Sequence, residues 1–329
     1  MVLIALVGIS KILKEPNLNK QPNGKINKRK LTLTTREDSY CICFNAMASP
    51  CEVLIETESE TLAEQLGKAV ANEVWRIEDK YSRYSSLSAC SKINSSQGKP
   101  VAIDQETFLL LNFAELCFVL SCGVFDITSG VLRNAWRFDG SDNLPNKNQV
   151  NVCMTHIGWR RVVYDQDHIT LDEGMELDFG GIGKEYAVDK AIIIAKNFTT
   201  RPVLVNLGGD LSATSPRKNN QAWQVGIEHP GLVKKDSNKS SDKRLIVSLM
   251  KGALATSGDA NRFLLKDGKR YSHILNAQTG WPVENTPHSI TVVAPQCIQA
   301  GILATLALMQ GSDAEAFLTE QGVKHWAIR

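Results

Sequence analysis

The sequence predicts an α+β fold. Long segments with helical apolar spacing stand beside many short β-branched runs. The two kinds of segment do not alternate with the steady rhythm of a doubly wound parallel sheet. The chain has 329 residues, 43% apolar and 22% charged, enough for one large globular domain or two modest ones with a sizeable core.

The elements follow in order. The opening MVLIALVGIS is apolar, has no basic residue before it and falls short of a membrane span. Residues 11–36 are polar and basic, with Lys11, Lys14, Lys20, Lys25, Lys28, Arg29 and Lys30. Residues 1–38 therefore read as a basic, flexible leader, and residues 39–329 as the folded domain. Tyr40 to Glu56 alternates as a strand or hairpin. Thr61 to Tyr81 is helical, with Leu62, Leu66, Ala69, Val70, Val74 and Ile77 recurring at three and four. Thr107 to Ser121 repeats that pattern, and Gly140 to Asn148 is an exposed loop. Arg160 to Leu177 gives short strands, Lys184 to Lys196 a helix, and PVLVN at 202–206 a buried strand. Strands at 223–228 and 245–250 flank a Lys/Ser/Asp-rich insertion at 234–243. A strand at 290–294 precedes an apolar helix at 297–310 and a last helix at 314–320.

Lys+Arg (37) nearly balance Asp+Glu (35), so nucleic acid and anionic membranes are not expected partners, and any anion site must be local. No integral membrane segment is expected. None of the eight cysteines forms a C-x-x-C pair; Cys41-x-Cys43 comes closest, and the thiols read as small hydrophobes in a reducing compartment. A cytoplasmic location is favoured on that ground, with a periplasmic or membrane-anchored one as the alternative.

Chemistry concentrates in glycine-bearing turns: 178–185 (DFGGIGKE), 206–210 (NLGGD), 256–259 (TSGD), 279–280 (TG) and 123–128 (GVFDIT). Adjacent glycines let a backbone approach a ligand, and a helix opening after them offers free N–H groups to an anion. Carboxylates and hydroxyls beside them suit a hard cation. The glycine spacing matches neither G-x-x-x-x-G-K-[ST] nor G-x-G-x-x-G, and no G-x-S-x-G elbow occurs, which excludes P-loop, Rossmann and α/β-hydrolase readings. His273 lies between a polar turn and a glycine turn, open to a base or phosphate-contact role.

The strings GVFDITSGVLRNAW, LDFGGIGKEYAVDKA, VNLGGDL, ALATSGDANRF, YSHILNAQTGWPV and AGILATLAL occur here in the order found in the ApbE-type flavin transferases, which the chain resembles from about Ala46 onward. RYSSLSACSKIN is similar to that family's early segment. The resemblance implies a mixed, two-lobed α+β fold with FAD in the interlobe cleft. It implies a Mg²⁺-assisted reaction in which FAD is split at its pyrophosphate, FMN moves to a Thr or Ser hydroxyl of an acceptor protein and AMP leaves. It also implies roles. Met47, Asn94, Phe125, Asp126, Ile127, Asp178, Lys184 and His273 match cofactor-contacting positions. Asp259 and His273 match the site's acid and histidine, either of them the base. The Gly183 carbonyl and Thr305 match metal ligands. At Gly301 the family's metal-binding Asp is missing, Asn276 replaces a usual Asp, and Glu185 replaces a usual Gly. Glu185 or Asp259 is expected to compensate. Failing that, the chain would be a non-catalytic FAD-binding module; an FAD pyrophosphatase giving FMN and AMP is the other alternative.

Overall fold

The computed structural model describes Leu13 and residues 29–227, 245–259 and 262–329. The insertion expected at 234–243 lies outside the described residues. Seven helices are described: α1 (Glu60–Tyr81), α2 (Ala89–Asn94), α3 (Gln105–Leu120), α4 (Lys147–Met154), α5 (Gly183–Phe198), α6 (Cys297–Leu308) and α7 (Ala314–Glu320). The strands are β1 (Thr32–Arg36), β2 (Ser39–Ala46), β3 (Ser49–Ile55), β4 (Val101–Ala102), β5 (Val163–Tyr164), β6 (His168–Thr170), β7 (Val203–Leu207), β8 (Asp210–Ala213), β9 (Trp223–Ile227), β10 (Leu245–Leu249), β11 (Gly252–Gly258), β12 (Phe263–Lys266), β13 (Lys269–Ser272), β14 (Ser289–Ala294) and β15 (Lys324–Ile328).

An antiparallel sheet in the order β1-β2-β3-β7-β8-β11-β14-β15 forms the centre. Its two faces follow from the period of two along each strand. Val203, Val205 and Leu207 of β7 face the main core with α1, α5 and α6, while Leu204 faces a second core with Trp223 and Ile227 of β9 and Val247 and Leu249 of β10. A third core, under the connecting loops, holds Val131, Leu132, Trp136, Val150, Cys153 and Leu264. The mixed fold expected from the sequence is the fold observed.

α6 is buried at every residue, so it has no polar face to give an amphipathic pattern. Burial of Ile302, Leu303, Leu306 and Leu308 stabilises the fold by about 1.5–3 kcal/mol each. Gln296 gives α6 no side-chain cap. Asp189 of α5 supplies one instead, accepting from Cys297 N at 2.8 Å and Ile298 N at 2.9 Å. Burial pushes this carboxyl up to about 7, and the two donors pull the other way. α1 opens at Ser59, which accepts from Leu62 N. Its Gly67 permits close approach to the sheet, since a Cβ there would lie 2.7 Å from Ile42 Cγ2.

The sheet begins at Thr32, inside the segment read as leader. β1 pairs with β2, Thr34 opposite Cys41, and Arg29 holds Asp79 at 2.6 Å. β1 is mostly exposed at a sheet edge, so its sequence shows no apolar alternation. Among the described residues no helix is long and apolar enough to cross a membrane.

Candidate active site

The glycine stretch before α5 is held from several sides. Asn94 Nδ2 donates to Leu177 O at 2.9 Å, and Leu177 N donates to Asn94 Oδ1 at 2.8 Å. Asp178 N donates to Ile127 O, which joins the stretch to the 123–128 turn. Asp178 then divides its carboxylate: Oδ1 accepts from Gly180 N at 2.9 Å and Oδ2 from Arg83 Nη1 at 2.7 Å. Phe125 is buried with its ring against Gly181, where a Cβ would sit 3.1 Å away. Asp126 Oδ1 accepts from Thr128 N and Oγ1, and its Oδ2 from Trp159 N. The structure thus brings Asn94, Phe125, Asp126, Ile127 and Asp178 together. The hydrogen-bonding groups of Asn94 and Asp126 serve the protein's own backbone and neighbouring side chains, so these two residues shape the loop.

Past this loop the chain turns into α5 with no side-chain cap at Ile182, leaving the helix N-terminus to attract an anion. Lys184 sits in the first turn and meets Asp210 Oδ2 at 2.7 Å. Asp210 is placed by the tight β7–β8 turn, whose Gly208 and Gly209 take φ of +62° and +100°. Its Oδ1 accepts from Thr256 N at 3.0 Å, continuing on a side chain the ladder between β8 and β11. The Met47–Ala48 turn of the β2–β3 hairpin lies beside the same glycines. Gly208 N donates to Pro50 O, and Met47 N donates to Glu78 Oε1 at 2.6 Å.

Glu185, next along α5, is buried, and no side chain or backbone group bonds its Oε2. Burial first, and then the charge of Asp210, push its carboxyl up to about 8. It lies over Gly301 of α6, where a Cβ would be 2.5 Å from Glu185 Cγ. One helical turn on, Thr305 Oγ1 shares a 2.8 Å hydrogen bond with Ser257 Oγ of β11.

β11 runs unbroken through Thr256, Ser257 and Gly258, which corrects the expectation of a glycine turn there. At its end Asp259 is buried and grips Arg270, with Nη2 to Oδ1 at 2.9 Å and Nε to Oδ2 at 3.0 Å. His288 Nδ1 stands 3.5 Å from the same carboxylate. His273 Nδ1 lies 3.1 Å from Arg262 O, so the tautomer that donates there leaves Nε2 as an acceptor. Burial and then the Arg262 charge hold the His273 imidazole below its ordinary range. Asn276 folds its own turn, accepting from Gln278 N at 2.8 Å.

Sequence reading assigned no role to Arg83, Asp210, Ser257 or Arg270. Asp210 and Ser257 fall inside the quoted glycine motifs and Arg83 opens the quoted RYSSLSACSKIN, usable signals; Arg270 carries none. Among the described residues, one trio of His, Cys, Asp or Glu side chains has ligand atoms within 4.8 Å of one another: Cys41, Cys43 and Glu52 on the β2–β3 hairpin. Burial and the neighbouring Cys43 push the Cys41 thiol up to about 12, in keeping with an inert hydrophobe.

A model of the ApbE family matches residues 47–326. The chain belongs to the ApbE family. It is 26% identical over 271 residues to the FAD:protein FMN transferase of Vibrio cholerae, covering 78% of this chain and 75% of that one. The Treponema pallidum protein of the same name is 28% identical over 253 residues, covering 71% and 68%. The crystal structure of the ApbE protein from Thermotoga maritima superimposes with a TM-score of 0.77 at 27% identity, over 88% of this chain and 94% of that one. The apo flavinyl transferase ApbE of Pseudomonas stutzeri gives 0.76 at 23% identity, over 93% of each chain, and supports the fold.

Proposed function

We propose that this ApbE-family chain is an FAD:protein FMN transferase. The reading rests on one observation above the others: an uncapped helix N-terminus, Lys184 and a set of oxygen donors converge at the start of α5. Such a place suits a pyrophosphate and a hard cation. Phosphoryl transfer is mainly positioning and charge neutralisation, which this arrangement can supply. Mg²⁺ fits the residues present, since the buried Glu185 Oε2 lacks a partner and its side chain lies against Gly301, one helical turn from Thr305 on α6. The Gly183 carbonyl and Thr305 would hold it; Gly301 brings no side-chain donor. When bound, Mg²⁺ would draw charge from the phosphate oxygens.

The chain's own residues do the rest. Lys184, held by Asp210 yet partly exposed, meets the phosphates. Asp178 and Arg83 mark the other side of the loop, next to Tyr84 and Leu87, which stand 84% and 83% exposed and offer apolar surface to a ring. The hydroxyl of the acceptor protein attacks the FMN phosphorus, its proton passes to a base, and the bond to the AMP phosphate breaks. Asp259 is committed to Arg270, so His273 Nε2 is the base this geometry favours.

Intact-mass spectrometry of a Thr-containing acceptor peptide with the protein, FAD and Mg²⁺ tests the assignment. A peptide heavier by one FMN, with AMP released and both lost in chelator, is the expected result. AMP and free FMN alone would establish the pyrophosphatase reading. FAD bound but uncut would leave a binding module. His273→Gln is expected to slow transfer about 10²–10⁴-fold. Because the imidazole protonates below its usual ~6.5, transfer should stay active as pH falls through that value and decline only beneath it. A wild-type acid limb at or above that value would remove His273 from the role.

A further inference from the structure

Glu185 is a buried carboxylate with an unsatisfied oxygen, next in the chain to Lys184, whose ammonium holds Asp210. Isolation of that kind is costly, and a natural chain keeps it when a partner that the fold does not supply completes it. Its position indicates the partner. A Cβ at Gly301 would stand 2.5 Å from Glu185 Cγ, 2.7 Å from Oε1 and 2.9 Å from Cδ. The Glu185 side chain therefore fills the volume that the first atoms of any side chain at 301 would take. Gly301 and Thr305 are four residues apart on α6, on one face of that helix. Gly183, two residues before Glu185, opens α5 at the same place.

We propose that Glu185 is the carboxylate ligand of a divalent cation here, reaching it from α5 through the space that Gly301 leaves open. The donor set is then the Glu185 carboxylate, the Thr305 hydroxyl and the Gly183 carbonyl, with waters and substrate oxygens filling the remaining positions, as suits Mg²⁺. Glu185 and Gly301 form a complementary pair: the carboxylate stands on α5, and the space it occupies is left open on α6 by the glycine. The inference rests on the reading of a metal-assisted site given above, and its test does not depend on turnover.

Mn²⁺ alone is titrated into the full chain, free Mn²⁺ being counted by its EPR signal, and the titration is repeated with FAD. Glu185→Gln, which keeps the shape and removes the charge, is expected to weaken Mn²⁺ binding by about tenfold or more. It should melt no lower than wild type without metal, because the amide keeps the shape of the buried carboxyl and carries no charge to desolvate, and should lose the rise in melting temperature that Mn²⁺ gives wild type. Glu185→Gly combined with Gly301→Asp should recover binding to within about threefold of wild type, while Glu185→Gly alone should not. Gly301→Asp alone should fold poorly, because its Cβ meets Glu185. Wild-type binding of Mn²⁺ by Glu185→Gln, or no binding by wild type itself, overturns the proposal. Transfer of FMN in either case would leave the enzyme assignment standing.

Discussion

Arg76→Met is expected to destabilise the protein by about 3–5 kcal/mol at pH 7. Arg76 forks between two carboxylates. Its Nε and Nη2 donate to Glu73 at 2.8 Å, and its Nη1 and Nη2 to Glu106 at 2.8 and 2.7 Å. Lys80 adds 2.6 Å contacts to Glu106 and Asp104, and Tyr186 OH donates to Glu106 at 2.7 Å. The network ties α1 to α3 and α5, the helix that carries Lys184 and Glu185. Methionine leaves Glu73 and Glu106 half-paired in a mostly buried place. Burial alone would raise Glu106, but the Arg76 fork and Lys80 outweigh it and hold the carboxyl down to about 2. A carboxyl depressed in the folded state stabilises it above the unfolded value of about 4.5, and that contribution drains away as pH falls through the folded value. Urea unfolding at pH 7 and at a series down to pH 2 should therefore show wild type and variant converging below about pH 4.5. A difference under about 1 kcal/mol at pH 7, or one unaffected by acid, would mean that the fork is not a stability determinant.

Glu73, Arg76 and Lys80 share α1 at helical spacing, but the closure of the network on Glu106 and Tyr186 is invisible in the sequence, because those partners belong to other elements and all of them look like ordinary helix-surface groups. What the sequence shows well is whatever repeats locally. The apolar spacing of Leu62, Leu66, Val70 and Val74 placed α1, and the run from Cys297 placed α6 although it has no polar face. Edge strands carry little pattern. β1 lies in the segment that reads as a leader, and β15 lies where the sequence predicts no strand. The site divides in the same way. Glycine motifs marked where Asp178, Lys184 and Asp259 would fall, but glycine has two uses that sequence does not separate. Gly208 and Gly209 supply positive φ in a turn, whereas Gly258 sits in a continuous strand and is small so that a neighbour can approach. The partners of Asn94 and the match between Glu185 and Gly301 arise only when distant segments meet.

Gly258→Ala should therefore be among the most damaging of the small substitutions. A Cβ there would stand 2.5 Å from His288 O, 2.7 Å from Ser289 Cβ and 2.8 Å from Ser289 Cα. Two of these three atoms are backbone, and Ser289 is the cross-strand partner of Gly258, so no flexible tip can swing away. β14 must move off β11 at this point. The next bond along, Asp259 N to His288 O at 3.0 Å, is the first to suffer. Asp259 carries the Arg270 pair on one side, and Ser257 holds Thr305 on the other. Overpacking of this kind costs about 1–3 kcal/mol. A displacement of about 1 Å in groups that position a reacting phosphate costs about a hundredfold in rate, so activity should fall further than stability does. Gly268→Ala separates the two effects. Gly268 has φ of +74° with open space around it, so alanine there should cost about 1–2 kcal/mol of backbone strain and leave transfer unchanged. Thermal melts and kcat/KM for both variants, measured well below their melting temperatures, decide the point. If Gly258→Ala transfers FMN at the wild-type rate, the end of β11 does not set the geometry of the reaction, and the roles given to Asp259 and Thr305 fall with it.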